Sequence, residues 1–101
     1  MKPTSYVTAV RLYGSLRELA GEAEIDVSLL PDGARVRDLL RQLEELRPGL
    51  DHRLLDENGD ITRFANVFVN GRDIRDLDGL DTPVLPDDEV TILPPAAGGK
   101  A

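Results

Sequence analysis

Residues 24–46 read EIDVSLLPDGARVRDLLRQLEEL, and this stretch contains two different hydrophobic periods. From Glu24 to Leu30 polar and apolar residues alternate, which predicts a strand with one buried face. A turn follows at Pro31-Asp32-Gly33. Apolar residues then recur at steps of three and four, which predicts an amphipathic helix from about Arg35 to Arg47, ended by Pro48-Gly49. The stretch therefore predicts a strand followed by a helix with one apolar face.

Further strands are predicted on both sides of this unit. Tyr6–Tyr13 is β-branched and aromatic and ends at Gly14, which predicts the first strand. Phe64–Val69 predicts the third strand, and Asn70-Gly71 after it tolerates the positive φ angles of a type I′ hairpin turn. Glu89–Leu93 predicts the last strand, which ends at two prolines. Shorter helical pieces are expected at Leu16–Ala20 and around Leu50, Leu54 and Leu55.

The order of elements is strand, strand, helix, strand, short hairpin, strand. An α+β fold satisfies it, in which one main helix packs on one face of a mixed sheet of four to five strands. This is the β-grasp, or ubiquitin-like, architecture. We expect residues 1–95 to form this domain and residues 96–101 to form a C-terminal tail. The predicted core residues of the sheet are Val10, Leu12, Val67, Val69, Val90 and Ile92.

Composition excludes several functional classes. The chain has 101 residues, with 12 basic and 19 acidic side chains and a formal charge of −7. That length fits one domain, and that charge argues against nucleic acid or an anionic membrane as a partner. No apolar run could span a bilayer, and no apolar signal-peptide core follows Met1, so we expect a cytoplasmic protein that is monomeric by itself. The absence of cysteine excludes disulfides and a cysteine nucleophile within this chain.

Conventional catalytic groups are scarce. His52 is the only histidine, and general acid-base catalysis needs a positioned partner as well. The carboxylates at Asp73, Asp76, Asp78 and Asp81 lack the order of an EF-hand loop and its closing glutamate, so they indicate a solvated acidic loop. We therefore expect no metal site, no cofactor and no enzymatic activity in this chain alone.

The C-terminal residues carry the functional signal. Pro94-Pro95 stiffens the exit from the sheet, because the proline rings fix φ. Ala96-Ala97 and Gly98-Gly99 follow, and a peptide this thin can thread a narrow channel and bring its carboxyl group to another protein's active site. The alternative is an ordinary frayed terminus. The β-grasp order of elements favours the functional interpretation.

Four segments carry a resemblance to a known family. They are Arg17–Gly21, Val36–Leu40, Val67–Gly71 and Asp87–Gly99, of which the last is the most specific. On these segments the chain from about Val7 to Gly99 resembles the MoaD/ThiS family of ubiquitin-like sulfur carriers. Within that family, Arg63–Asn70 is most similar to the CysO-type carriers of cysteine biosynthesis.

The resemblance implies a mechanism centred on Gly99. A ubiquitin-activating-type adenylyltransferase would join the Gly99 carboxylate to AMP, and a sulfur donor would displace AMP and leave a thiocarboxylate. A sulfur-accepting synthase would then receive the sulfur, while ATP and Mg²⁺ would belong to the activating partner. In this chain Lys100 and Ala101 follow the diglycine. Three explanations are open. A protease, which would be a metalloprotease, removes the two residues, or they were added during cloning, or the protein is not a carrier in this form.

Only Lys2 and Lys100 are lysine, while ten basic residues are arginine. A folded domain without lysine side chains would resist acylation by the activated tail of the same protein. A preference for arginine codons explains the pattern almost as well. Three other functions fit the same residues. They are the small subunit of molybdopterin synthase, a protein modifier conjugated through Gly99 to lysines of targets, and a binding module with an inert tail.

A partner surface is predicted beside the root of the tail. By alternation along their strands, Tyr13, Phe68 and Leu93 point to the face opposite the helix. Exposed apolar patches commonly mark interaction sites. We therefore predict that these three residues bind the partner together with Pro94, Pro95, Ala96 and Ala97. The alternative is that the segment from Leu50 to Ile61 folds over this face.

Overall fold

Apolar residues at alternating positions bury one face of a five-stranded sheet. The computed structural model describes residues 6–29 and 34–95. In chain order the elements are β1 (Tyr6–Leu12), α1 (Gly14–Ala20), β2 (Glu24–Leu29), α2 (Val36–Leu46), β3 (Asn66–Val69), β4 (Arg72–Asp73) and β5 (Val90–Leu93). Short turns of 3₁₀-helix cover Pro48–Leu50, Ile74–Asp76 and Gly79–Asp81.

The strands lie in the order β2-β1-β5-β3-β4. β1 and β5 run parallel, and the other neighbouring pairs are antiparallel. This is the α+β, β-grasp arrangement that the order of elements predicts. Asn70 and Gly71 adopt φ angles of 53° and 82° between β3 and β4, which confirms the predicted hairpin turn. The predicted turn at Pro31-Asp32-Gly33 lies outside the described residues.

The core lies between the sheet and α2. All six predicted core residues of the sheet are at most 5% exposed: Val10, Leu12, Val67, Val69, Val90 and Ile92. The apolar stripe of α2 meets them with Val36, Leu39, Leu40 and Leu43. Leu46 belongs to the same predicted stripe but is 44% exposed at the last residue of the helix. Within the described ranges no helix is long and apolar enough to cross a membrane.

The first helix is longer than the sequence predicts. The predicted turn at Leu16–Ala20 forms the last five of the seven residues of α1, which begins at Gly14. Leu16 and Ala20 are its buried residues, so its apolar period is too brief to indicate where the helix begins. The helix ends at Gly21, where the backbone N–H donates to the carbonyl of Arg17 at 2.9 Å.

The expected helical piece around Leu50, Leu54 and Leu55 is confirmed only as far as Leu50. Leu50, Leu54 and Leu55 are buried in the core, but only Pro48–Leu50 forms a 3₁₀ turn. The N–H of Thr62 donates to the carbonyl of Leu54 at 2.9 Å, and the Thr62 hydroxyl accepts the N–H of Phe64 at 3.1 Å. These bonds fold the segment as an irregular loop, and they delay the start of β3 from the predicted Phe64 to Asn66.

Candidate functional site

The face of the sheet opposite α2 presents the predicted partner residues. In the register of β3 and β5, Phe68 lies opposite Thr91 and Asn66 lies opposite Leu93. The residues between them, Val67 and Ile92, face the core, so Phe68 and Leu93 point the other way. Tyr13 follows buried Leu12 in extended backbone and is 44% exposed. We call Tyr13, Phe68 and Leu93 the open-face residues.

The loop from Leu50 to Ile61 does not cover this face. Its apolar side chains Leu50, Leu54 and Leu55 are buried members of the core, and Ile61 packs against the same core. The alternative placement of this loop is therefore wrong. Phe68 and Leu93 are nevertheless partly buried rather than fully exposed, because neighbouring strands crowd them from both sides. Tyr13 is the most accessible of the three.

Charged side chains flank the apolar centre of the open face. On one edge the guanidinium of Arg11 lies 3.7 Å from the carboxylate of Glu24, an exposed pair that contributes little stability. On the other edge the Arg75 guanidinium donates to Asp73 at 2.6 Å and to the amide oxygen of Asn66 at 3.4 Å. The hydrogen bonds from Arg75 hold the pKa of the Asp73 carboxyl below its usual range.

The root of the tail is attached at the border of the open face. The backbone N–H of Tyr13 donates to the carbonyl of Ile92 at 3.3 Å, which joins the start of α1 to the end of β5. Pro94 is partly buried, and Pro95 is exposed and lines a groove together with Asn66 and Arg75. Ala96, Ala97, Gly98, Gly99 and Lys100 lie outside the described residues, so their functional roles stay predictions.

Asp81 and Asp88 have structural partners. Asp88 accepts the N–H of Leu85 at 2.8 Å and the side-chain amide of Asn70 at 2.9 Å. Asp81 accepts from Arg37 at 3.0 Å, which fastens its 3₁₀ turn to α2. His52 is exposed, with Nε2 3.7 Å from Asp51. Among residues 6–29 and 34–95 no group of three His, Cys, Asp or Glu side chains could hold a metal ion.

Sequence reasoning missed two local features. The guanidinium of Arg53 lies over the ring of Phe64, 5.3 Å from its centroid, and Phe64 is 44% exposed. No pattern in the sequence indicates this contact, because the exposure of Phe64 is seen only in the folded structure. The other feature is Gly14, which contacts the root of the tail although the sequence marks it only as the end of a strand.

Comparison with known proteins decides the family. The sequence model of the ThiS family matches residues 10–99, which include the whole sheet core, the root of the tail and the diglycine. The chain belongs to the ThiS family. The predicted MoaD/ThiS resemblance is therefore confirmed.

Named relatives of this ThiS-family protein include both carriers and modifiers. Small archaeal modifier protein 3 of Haloferax volcanii is 39% identical over 90 residues, which cover 89% of this chain and 96% of the relative. The sulfur carrier protein CysO of Mycobacterium tuberculosis is 38% identical over 74 residues, which cover 71% of this chain and 80% of the relative.

A solved structure shows such a protein with a partner. The crystal structure of the Amycolatopsis orientalis BexX/CysO complex contains a chain with a TM-score of 0.73 and 34% identity, and the match covers 91% of this chain and 99% of that chain. In that complex a CysO chain is bound to a second protein, BexX. Together the relatives place this ThiS-family chain among small ubiquitin-like sulfur carriers and modifiers.

Proposed function

We propose that this protein is a sulfur carrier whose Gly99 carboxylate is adenylated by a partner enzyme and converted to a thiocarboxylate. The observation that carries the proposal is the extent of the family match, which runs through the diglycine to residue 99. The CysO relative, a sulfur carrier by name, supports the same chemistry, and cysteine or another sulfur-containing metabolite is the proposed destination. The protein would act as a carried substrate rather than an enzyme.

The proposed chemistry needs only a carboxylate from this chain. A Gly99 oxygen attacks the α-phosphorus of ATP, pyrophosphate leaves, and a mixed anhydride with AMP forms. Hydrosulfide then adds to the carbonyl carbon, the bond to AMP breaks, and loss of the sulfur-bound proton leaves a thiocarboxylate. A persulfide donor would first form an acyl disulfide, from which a second thiol releases the thiocarboxylate. ATP and Mg²⁺ are bound by the partner, so the reaction belongs in the cytoplasm, where ATP is available.

Removal of Lys100-Ala101 must precede adenylation in this proposal. In the chain of 101 residues the carbonyl of Gly99 is part of a peptide bond to Lys100 and cannot attack ATP. A protease, for which we propose a metalloprotease, would hydrolyse that bond and create the reactive carboxylate. ATP-pyrophosphate exchange tests this step, because protein ending at Gly99 should support it and uncut protein ending at Ala101 should not. Equal ATP-pyrophosphate exchange by both forms would refute the processing step.

The open-face residues form the proposed docking surface for the adenylyltransferase. Tyr13 is exposed and Phe68 and Leu93 are partly exposed. Tyr13 and Leu93 lie at the end of β5 where the tail begins, and Phe68 lies two residues away, opposite Thr91. Aromatic side chains are frequent anchors in protein interfaces. The formal charge of −7 favours a partner whose corresponding surface is basic at its rim, since complementary charge raises the association rate.

A second candidate is a protein modifier. The modifier relative from Haloferax volcanii, at 39% identity, favours it. In this case the amine of a target lysine, rather than sulfur, would attack the Gly99 adenylate and form an isopeptide bond. Residues 3–99 contain no lysine, so the body of the protein would not serve as its own acceptor.

Intact-mass analysis of untagged protein from its native cell separates the two candidates. A carrier should include a form that ends at Gly99 with one oxygen replaced by sulfur. A modifier should appear as conjugates of higher mass joined to lysines. Protein that ends only at Ala101, with neither sulfur nor conjugates, would contradict both proposals.

A further inference from the structure

We infer that Gly14 is a positioning residue, which sets the direction in which the tail leaves the sheet by providing space for the ring of Pro94. The inference rests on the proposed function, because this direction matters only if Gly99 must reach a partner's active site. It assigns a functional role to a residue at the junction of β1 and α1, far in sequence from the tail.

The contact between Gly14 and Pro94 leaves no room for a side chain. A Cβ added at Gly14 would lie 2.8 Å from Cγ and 3.5 Å from Cδ of Pro94, whereas ordinary contacts begin near 3.4 Å. Pro94 is partly buried here, and the hydrogen bond from the N–H of Tyr13 to the carbonyl of Ile92 joins the same two segments. A methyl group at Gly14 would therefore move the proline ring by several tenths of an ångström.

A displacement of Pro94 becomes larger at Gly99, the reactive end of the tail. The rings of Pro94 and Pro95 fix φ, so a change of direction at Pro94 also reorients Pro95, the last described residue before the tail. Extended in a partner's active site, the five residues from Pro95 to Gly99 span at most about 17 Å, and a tilt of about 10° would displace the far end by about 3 Å. A misplacement of about 1 Å can lower the rate of a positioned reaction by about a hundredfold.

Gly21 offers a matched control at the opposite end of the same helix. Both glycines adopt positive φ, +58° at Gly14 and +83° at Gly21, so alanine strains the backbone at either position. Nothing lies within 4 Å of a Cβ added at Gly21. The two alanine variants thus share the backbone strain and differ in the contact with Pro94.

The experiment measures adenylation of protein ending at Gly99 by the host's ubiquitin-activating-type adenylyltransferase. For Gly14→Ala we expect kcat to fall at least about tenfold, with an unchanged Kd for the enzyme measured by calorimetry. Gly21→Ala should keep the wild-type kcat. Pro94→Ala removes the Cγ and Cδ atoms, so Gly14→Ala should cause no further loss of kcat in a Pro94→Ala background.

Each failure has a distinct meaning. Equal kcat values for Gly14→Ala and Gly21→Ala, or a full additional loss in the Pro94→Ala background, would overturn the positioning role. If Gly14→Ala does not fold, Pro94→Ala should still lower kcat more than Pro95→Ala, and equal effects would overturn it as well. A wild-type protein that is not adenylated at all would instead refute the proposed function.

Discussion

Replacing Phe68 by alanine tests whether the open face binds the partner. Phe68 is partly exposed, and its direct cross-strand neighbours are Thr91 and Asp73. Since no helix or loop of residues 6–29 and 34–95 packs over it as α2 packs over the other face, the stability that its ring contributes is close to that of a cross-strand pair, about 1 kcal/mol. For a domain of this size that loss lowers the melting temperature by about 5 °C.

The matched control is the adjacent core residue. Val67 is 1% exposed, so Val67→Ala removes fully buried methyl groups and leaves a cavity, which costs about 2 kcal/mol or more. The melting temperature should then fall by about 10 °C. Val67 does not reach the open face, and its variant should bind the adenylyltransferase normally at a temperature where it remains folded.

Phe68→Ala should weaken binding to the adenylyltransferase more than Val67→Ala does, although it destabilises the fold less. If Phe68 is an interface anchor, its loss weakens binding to the adenylyltransferase by about 2 kcal/mol, which is roughly a 30-fold increase in Kd. Calorimetric titration gives the Kd and scanning calorimetry gives the melting temperature. The reasoning is refuted if Phe68→Ala destabilises the protein as much as Val67→Ala and leaves the Kd unchanged.

Three further predictions concern the tail, the core and the edge of the open face. Gly98→Val should abolish thiocarboxylate formation without changing the melting temperature, because a branched side chain would block a channel shaped for bare backbone; unchanged product by mass spectrometry would contradict this. The hydroxyl of Thr8 is buried and has no hydrogen-bond partner among the described residues, so Thr8→Val should raise the free energy of unfolding in urea by about 1 kcal/mol, and a decrease would mean that the hydroxyl has a partner. The pKa of Asp73 is lower in the folded than in the unfolded protein because Arg75 donates to it, so its contribution to stability is present above the unfolded pKa and is lost as the pH falls through the folded pKa. Asp73→Asn should therefore lose less free energy of unfolding than the wild type as the pH falls through this acidic range. An unchanged dependence of the free energy of unfolding on pH would show that the Asp73–Arg75 pair contributes nothing.

Elements with a long, regular period were predictable from the sequence. The alternation in Glu24–Leu29 and the three-four spacing in Val36–Leu46 each bury one side of one element, so the burial pattern can be read from the order of residues. The hairpin at Asn70-Gly71 was predictable for a different reason, because its positive φ angles depend on those two residues themselves.

Elements without such a period were misjudged. Leu50, Leu54 and Leu55 have helical spacing, but hydrogen bonds to Thr62 and its neighbours hold their loop open while all three side chains enter the core. The partial burial of Phe68 was missed as well. The burial of Phe68 depends on which strands pair with β3, and the residues of β3 do not determine which strands these are.

The sequence by itself determined the local elements, the inward face of each strand, the charge of the chain and the composition of its tail. These properties depend on neighbouring residues, because backbone preferences and side-chain periods act over a few positions. Only the tertiary structure decided that Gly14 lies against Pro94 and that the backbone N–H of Tyr13 donates to the carbonyl of Ile92 beside it. The physical reason is that the parallel pairing of β1 with β5 joins the two ends of the chain, and this long-range pairing is stabilised by the whole buried core rather than by any local sequence pattern.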